Sequence, residues 1–407
     1  MARWRDDGAR GPGGGLSPHA FLLALATFAI GTDAFIVAGL LPQIAHDLST
    51  PIGSAGLVVS VFSVSYAISA PIVSALTARI SRKVVLVGGL AVFTVANVLS
   101  AICTTLPTLL LTRVLAALSA GLVTPTCYAV ASSLGSQSNR GRNLAVTAAG
   151  FTTAIVLGVP FGVYISHLFS WRGSLGFVAL LATVAGLALL KIGVPSANTA
   201  GPPVSLAQQF ASIARPKTLF VLVPFLFWSA ATLGLYTYVA AILARSLSAQ
   251  IIPILLLAYG MGAVIGNLVG GFLADRLGLR APTMGLLALL AVTLGSVGVA
   301  SSSLVAAATV MMIWAVCGAG LFTLQQQRAI ASSAQHSGLI LALNNSALYF
   351  GAAAGSAFLG SVISMISLSA AAPASAAIAA LAWILLVTLP QPRSESSVEH
   401  SEGVVPG

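Results

Sequence analysis

The feature that most constrains this chain is a series of long apolar runs that fill most of its length. A helix of about 20 apolar residues crosses the roughly 30 Å hydrocarbon layer of a bilayer. Twelve runs are long enough, six on each side of the longest polar connector. They span 19–41, 53–76, 84–105, 107–133, 143–168, 171–192, 217–244, 250–274, 281–301, 303–327, 338–364 and 371–390.

The scarcity of charge excludes a soluble protein. Only 6% of the 407 residues are charged, and 57% are hydrophobic. A soluble domain carries roughly 25% charged residues, so this chain could not cover a water-facing surface. The sequence therefore predicts an all-α integral membrane protein with twelve transmembrane helices. We expect a tail at 1–17, a six-helix half at 18–192, a linker at 193–216, a second half at 217–390 and a tail at 391–407.

The basic residues predict the orientation. If the N-terminus is cytoplasmic, 15 of the 18 Lys and Arg residues lie on the cytoplasmic side, two lie outside, and Arg113 falls within a helix. Lys and Arg concentrate in cytoplasmic loops, so both termini are predicted to be cytoplasmic. The net charge of +10 then reflects membrane topology, and we expect no nucleic-acid partner.

Two loops suggest an internal repeat. The segment SALTARISRK (74–83) follows the second run, and GFLADRLGLR (271–280) follows the eighth. Leu76 corresponds to Leu273 and Arg79 to Arg276 in these two loops. Parallel six-helix repeats are one architecture of secondary transporters, with the binding site between the halves.

The second of these loops resembles the signature loop of the major facilitator superfamily. Other segments are similar to its bacterial drug:proton antiporter and sugar-efflux members: GTDAFIVAGLLP (31–42), LLTRVLAALSAG (110–121), GVPFG (158–162) and ALNNSALYFGAAAGSAFLG (342–360). The resemblance implies a gating role for the loops, although the first copy has Ala78 where the family has Asp. The implied gating residues are Arg79, Arg82, Lys83, Gly271, Asp275, Arg276, Gly278 and Arg280. Orientation anchors are the simpler explanation for the basic ones.

The GVPFG segment resembles the Gly-Pro motif of exporters. Gly158, Pro160 and Gly162 would permit a bend and close helix approach, which ordinary small-residue packing would also explain. The resemblance favours export over uptake.

Two charged residues lie well inside the apolar runs, Asp33 and Arg113. Counting helical rise places them about 12 Å and about 9 Å below the outer surface, at similar depth. Because a buried charge is costly unless it has a partner, we expect a direct or water-bridged pair. Asp33 is then the candidate proton-coupling acid, tuned by Arg113; the alternative is a static ion pair.

Polar and aromatic residues in the helices are candidates for lining a substrate cavity. They are Phe35, Trp228, Tyr236, Tyr238, Trp314, Asn344 and Asn345. No buried nucleophile–base pair, metal-ligand set or phosphate-binding loop is evident, so we expect neither an enzyme, a metal site nor a cofactor. The sequence predicts a monomeric bacterial inner-membrane transporter that exports a small organic compound in exchange for protons. A chloramphenicol-like or other amphiphilic drug is the first candidate; a sugar, nucleoside or other metabolite, or proton-symport uptake, is the alternative.

Overall fold

A computed structural model describes residues 17–76, 80–134, 137–193, 216–332 and 337–389. Every regular element within these ranges is helical. Outside the described residues lie Arg79, the linker between Gly193 and Pro216, the predicted tail at 1–17 except for Ser17, and the predicted tail at 391–407.

Twelve long helices run through the described ranges when the longest helical stretch is divided at its internal break. They are α1 Pro18–Asp47, α2 Leu57–Leu76, α3 Arg82–Ala101, α4 Leu106–Ala131, α5 137–168, α6 171–192, α7 Pro216–Leu243, α8 Ile252–Leu277, α9 Arg280–Ala300, α10 Leu304–Ser332, α11 Ser337–Met365 and α12 Ala371–Thr388. A short turn, Ile52–Ala55, precedes α2. The all-α architecture with twelve spanning helices is thus confirmed.

A backbone irregularity separates α5 from α6. The helix Val159–Ile192 contains two non-helical residues, Phe169 and Ser170, and Ser170 has a φ of 59°. Without that break, residues 139–192 form one apolar helical stretch of 54 residues, and the described chain shows 11 candidate spans. A 54-residue helix would measure about 80 Å, far more than a bilayer needs, so the break marks a return through the membrane.

The same packing pattern recurs in the two halves. In the first half α1 packs on α5, α2 on α4, and α3 on α6. In the second half α7 packs on α11, α8 on α10, and α9 on α12. The main contacts between halves are α1 with α7, α2 with α11, and α5 with α8. These pairings fit two parallel repeats that meet through α1 and α7.

Helix ends define two faces of the bundle. We call the face that carries Lys83, Arg140, Lys191, Arg276 and Arg280 the basic end, and the other the opposite end. The positive-inside rule predicts that the basic end is cytoplasmic. Ser81 precedes α3 at the basic end, and Thr105 precedes α4 at the opposite end. Each residue caps its helix, because its side-chain oxygen accepts a hydrogen bond from a backbone N–H.

Candidate functional site

Asp33 and Arg113 form a buried ion pair between α1 and α4. The Nη1 of Arg113 donates to Oδ1 of Asp33 at 2.9 Å. Both side chains are sealed from solvent, with exposed fractions of 0% for Asp33 and 1% for Arg113. The equal depth expected from helical rise therefore brings the two side chains into direct contact.

Helix α3 supplies two neutral acceptors to the same guanidinium. The Nη2 of Arg113 donates to Oδ1 of Asn97 at 2.9 Å and to Oγ of Ser100 at 2.7 Å. Arg113 extends toward these residues because helical side chains lean toward their helix N-terminus, which for α4 lies at the opposite end. Two polar atoms stay without a hydrogen-bond partner, Oδ2 of Asp33 and Nε of Arg113.

The GVPFG segment lies at a helix irregularity where three helices meet. A π-helical turn, Ala154–Gly158, ends at the first residue of the segment, and Pro160 is the second residue of the α-helix that follows. A Cβ on Gly158 would lie 2.1 Å from Oγ1 of Thr32, and one on Gly162 would lie 2.1 Å from Cδ1 of Ile36. These glycines therefore allow α5 to approach α1 closely.

The π-helical turn also contacts the second half. A Cβ on Gly260 of α8 would come within 2.6 Å of the Val156 Cα. π-Helical turns within α-helices are frequent at functional sites. The exporter-like segment therefore lies at a contact between the two halves, a location that its sequence alone does not reveal.

An aromatic cluster occupies the interface next to this contact. Phe35 of α1 lies 5.8 Å from Tyr236 of α7, measured between ring centroids. Tyr236 lies 6.2 Å from Trp314, and Tyr259 lies 4.8 Å from Tyr236 and 5.5 Å from Trp314. Phe151 completes the cluster on the α5 side, 6.0 Å from Phe35. Three predicted cavity residues thus come together, and Phe151 and Tyr259 join them.

Tyr238 lies apart from the aromatic cluster. It belongs to a hydrogen-bonded contact between the halves near the opposite end, which we call the seal. Its hydroxyl donates toward the Gly53 and Ser356 carbonyl oxygens at 3.2 and 2.8 Å. Ser60 and Ser356 add a hydroxyl–hydroxyl hydrogen bond of 2.6 Å. Tyr238 is fully buried in this conformation, and its hydroxyl is engaged by backbone carbonyl groups.

Asn344 belongs to a second buried polar network inside the C-terminal half, and Trp228 lies beside it. Gln325 donates to the Asn344 carbonyl at 3.0 Å, and Arg328 donates to Gln325 at 3.4 Å. Trp228 stacks on Phe225 at 4.8 Å, and together with Gln325 and Arg328 it lines a narrow cleft. Arg328 is only 8% exposed, although it lies near the end of α10 that reaches the basic end.

Asn345 faces a different neighbour from Asn344. It interacts with the hydroxyl of Tyr66 on α2, and the ring of Tyr66 lies 4.1 Å from that of Tyr349 on α11. This contact joins the two halves between the seal and the basic end. The adjacent side-chain amides of Asn344 and Asn345 on α11 therefore face two different environments.

The predicted gating loop after α8 is exposed. Gly278 has a φ of 71° and ends α8 with its N–H bonded to the Ala274 carbonyl, which explains why glycine stands there. The guanidinium of Arg276 lies 4.5 Å above the ring of Phe272. Within the described ranges Asp275 forms no ion pair with Arg276 or Arg280. Gly271, Arg82 and Lys83 also lie at the basic end, and Gly271 has open space around it.

A partly exposed polar cluster joins three elements of the N-terminal half at the opposite end. Asp47 accepts from Arg172 at 2.8 Å and from the Trp171 indole at 3.0 Å. Arg172 also donates to the Cys103 carbonyl at 3.1 Å. The cluster holds the break between α5 and α6 against the end of α1.

The comparisons with known proteins identify the family. The model of the Major Facilitator Superfamily matches residues 23–356, which include the ion pair, the π-helical turn and both polar networks. The chain belongs to the major facilitator superfamily. It is accordingly a multi-pass membrane transporter and not an enzyme.

Relatives of this superfamily member are bacterial. The inner membrane transport protein YdhP of Escherichia coli (strain K12) is 30% identical over 84% of this chain and 88% of its own. The MFS-type transporter YbcL of Bacillus subtilis (strain 168) is 28% identical over 86% and 90%. A chloramphenicol resistance protein of Streptomyces lividans is 33% identical over 63% and 66%.

A solved structure shares the fold. A bacterial homologue of the human lysosomal transporter Spinster, in an inward-facing and occupied conformation, superposes with a TM-score of 0.73 at 15% identity. The match covers 92% of this chain and 97% of the other. Within the described residues no group of His, Cys, Asp or Glu side chains is arranged to hold a metal ion.

Proposed function

We propose that this chain is a proton-coupled exporter of small, weakly polar organic compounds, with chloramphenicol-like antibiotics as the first substrate class. The observation that carries the proposal is the Asp33–Arg113 pair, in which a fully buried carboxylate has one oxygen without a partner. An ionisable group at such depth is a functional candidate by default. The proposed setting is the bacterial inner membrane, with a working monomer and both termini cytoplasmic.

Proton binding would change the strength of the pair. Arg113 keeps its charge at any physiological pH, whereas Asp33 can gain or lose a proton. A protonated Asp33 is neutral and holds Arg113 only by a weak hydrogen bond, while an ionised Asp33 attracts it electrostatically. Proton uptake would therefore loosen α1 from α4, and proton release would restore the contact.

Helix α1 offers a route from this pair to the other half. Asp33 and Phe35 are two residues apart, so their side chains point in directions that differ by about 200° around the helix. Asp33 contacts Arg113 of its own half, and Phe35 contacts Tyr236 of the other. A movement of α1 relative to α4 would therefore also move Phe35 against the aromatic cluster.

The aromatic cluster and the relatives favour the substrate class. Ligand sites are lined mainly by apolar and aromatic side chains with a few polar groups, and this cluster at the interface has that character. The relative in Streptomyces lividans is a chloramphenicol resistance protein. The GVPFG segment adds the resemblance to exporters.

A growth-inhibition panel tests the proposal. Wild type, Asp33→Asn and Asp47→Asn are expressed in a pump-deficient bacterium that is challenged with chloramphenicol, dyes, sugars and nucleoside analogues. Asp47 is the matched control because it lies on the same helix but is partly exposed at the opposite end. We expect wild type and Asp47→Asn to protect against chloramphenicol and Asp33→Asn to lose protection by at least about tenfold. Full protection by Asp33→Asn would contradict the coupling role, and no chloramphenicol protection by wild type would contradict the substrate class.

A further inference from the structure

We propose that Asn97 and Ser100 are positioning residues that hold Arg113 in a one-sided pair with Asp33 and thereby set the pH at which Asp33 takes up a proton. The inference rests on the proposed function only in treating Asp33 as the coupling acid. It concerns the C-terminal part of α3, which none of the sequence motifs includes.

The pair is one-sided although a two-sided one is chemically available. An arginine and a carboxylate commonly bind through two parallel N–H···O bonds. Here one bond joins Nη1 to Oδ1 of Asp33, and Oδ2 accepts nothing. The second amino group of Arg113 is directed to α3 instead, where Asn97 and Ser100 accept from it.

The two acceptors are fixed by their own helix. The amide nitrogen of Asn97 donates to the Phe93 carbonyl at 3.1 Å. The hydroxyl of Ser100 donates to the Ala96 carbonyl at 2.7 Å. The Ser100 hydroxyl also lies 2.8 Å from Oγ1 of Thr112 on α4. Because the donors of Asn97 and Ser100 face these neighbours, the two residues present acceptor oxygens to Arg113.

This sharing weakens the hold of Arg113 on the Asp33 carboxylate. Opposite charges and hydrogen bonds to the charged form both favour an ionised acid. If α3 released Nη2, the unpartnered Oδ2 would be available as an acceptor, and a two-sided pair would hold Asp33 ionised to lower pH. The neutral acceptors therefore keep Asp33 within the pH range in which it can bind a proton.

The surroundings contain few competing charges. Within the described residues, Arg113 is the ionisable side chain that interacts electrostatically with Asp33. The other charged residues on the helices packed against α1 lie at helix ends, namely Arg140 and Arg142 on α5, Arg172 and Lys191 on α6, Lys217 on α7, and Asp275 and Arg276 on α8. The competition between α3 and Asp33 for hydrogen bonds from Arg113 is therefore determined locally.

Two substitutions at one position separate this role from a merely structural one. Asn97→Leu removes an acceptor of similar size and frees Arg113 to turn toward Asp33. Asn97→Asp introduces a second carboxylate that competes for the same guanidinium and repels Asp33. The first should lower, and the second should raise, the pH midpoint of Asp33 by about one unit.

Infrared difference titration of the purified full-length chain in lipid measures that midpoint without any substrate. The protonated-carboxyl band that Asp33→Asn abolishes is assigned to Asp33, and Asp33→Asn/Asn97→Asp identifies the band of the new acid. Ser119→Ala is the matched control, since Ser119 is a buried hydroxyl on α4 that bonds only to carbonyls of its own helix. We expect the control to leave the midpoint unchanged.

Opposite shifts in the two Asn97 variants support the inference. Unchanged midpoints, or shifts in the same direction, overturn it. If Asn97→Leu does not fold, Asn97→Asp decides alone, because an alkaline shift supports the role of α3 and its absence contradicts it. The titration reports Asp33 whether or not the chain exports drugs, so a failure of the proposed function appears only in the growth panel and not here.

Discussion

The two halves bury different kinds of polar network. The N-terminal half places an acid and a base in direct contact, Asp33 with Arg113, and supports them with neutral acceptors from α3. The C-terminal half buries Arg328 beside the neutral amides of Gln325 and Asn344. Between positions 217 and 390 the one acidic residue is Asp275, which is exposed in the last turn of α8 at the basic end.

This difference indicates which half can bind a proton inside the membrane. A titratable carboxyl in the membrane interior belongs to the N-terminal half, while the C-terminal half supplies three of the five aromatic rings at the interface. Such a division suggests that the first half senses protons and the second contributes more of the substrate contact. The duplicated scaffold would then carry two functions on two copies of one packing pattern.

The largest effect is expected from removing the basic member of the ion pair, Arg113. Arg113→Ala leaves an uncompensated buried carboxylate, which in soluble proteins costs about 3–5 kcal/mol of folding free energy. We expect a marked drop in the unfolding temperature and loss of transport. Asp33→Asn/Arg113→Ala should recover part of the stability but no transport, as measured by thermal unfolding in detergent alongside drug efflux. Equal stability of the single and double variants would argue that the pair is not coupled.

A smaller effect is expected where the two halves touch. Gly260→Ala would place its Cβ about 2.6 Å from the backbone of the π-helical turn, forcing α8 and α5 apart. Overpacking of this kind typically costs about 1–3 kcal/mol, and here we expect it to slow transport more than it lowers the unfolding temperature. Gly285→Ala on α9 is the control, because nothing lies within 4 Å of its added Cβ. Normal transport rates for Gly260→Ala would mean that transport does not depend on the close approach of α8 to the π-helical turn.

The smallest effect on proton coupling is expected in the C-terminal network. Arg328→Gln removes a buried cation that donates to the neutral side chain of Gln325. We expect a loss of about 2 kcal/mol in stability at most and an unchanged pH dependence of transport. A pH profile measured on cells expressing this variant tests the contrast directly. A shift as large as that of an Asp33 or Arg113 variant would mean that both halves take part in coupling.

The sequence predicts depth along a helix better than direction around it. Asp33 and Arg113 were expected to meet because a fixed rise per residue gave them similar depth. Asn97 and Ser100 were missed because depth does not tell which side of α3 faces α4. A charged residue inside one run invites a search for polar residues at matching depth on its neighbours, and that search would have found them.

Residues close in sequence were separated for the same reason. Tyr236 and Tyr238, or Asn344 and Asn345, differ by 200° or about 100° around their helices, so one member reaches a different neighbour from the other. In a membrane helix the pattern of apolar residues is nearly uniform around the axis, so it does not indicate which face is which. The π-helical turn before Pro160 adds a further change of direction that the glycine and proline positions suggest but do not define.

Proton movement in inverted membrane vesicles tests the central claim most directly. Vesicles containing wild type, Asp33→Asn or Asp47→Asn are energised by respiration, and the fluorescence of a pH-sensitive acridine dye is followed as chloramphenicol is added. The account predicts a substrate-dependent loss of the pH gradient with wild type and Asp47→Asn, and none with Asp33→Asn. A loss of the gradient with Asp33→Asn equal to that of wild type would contradict the account.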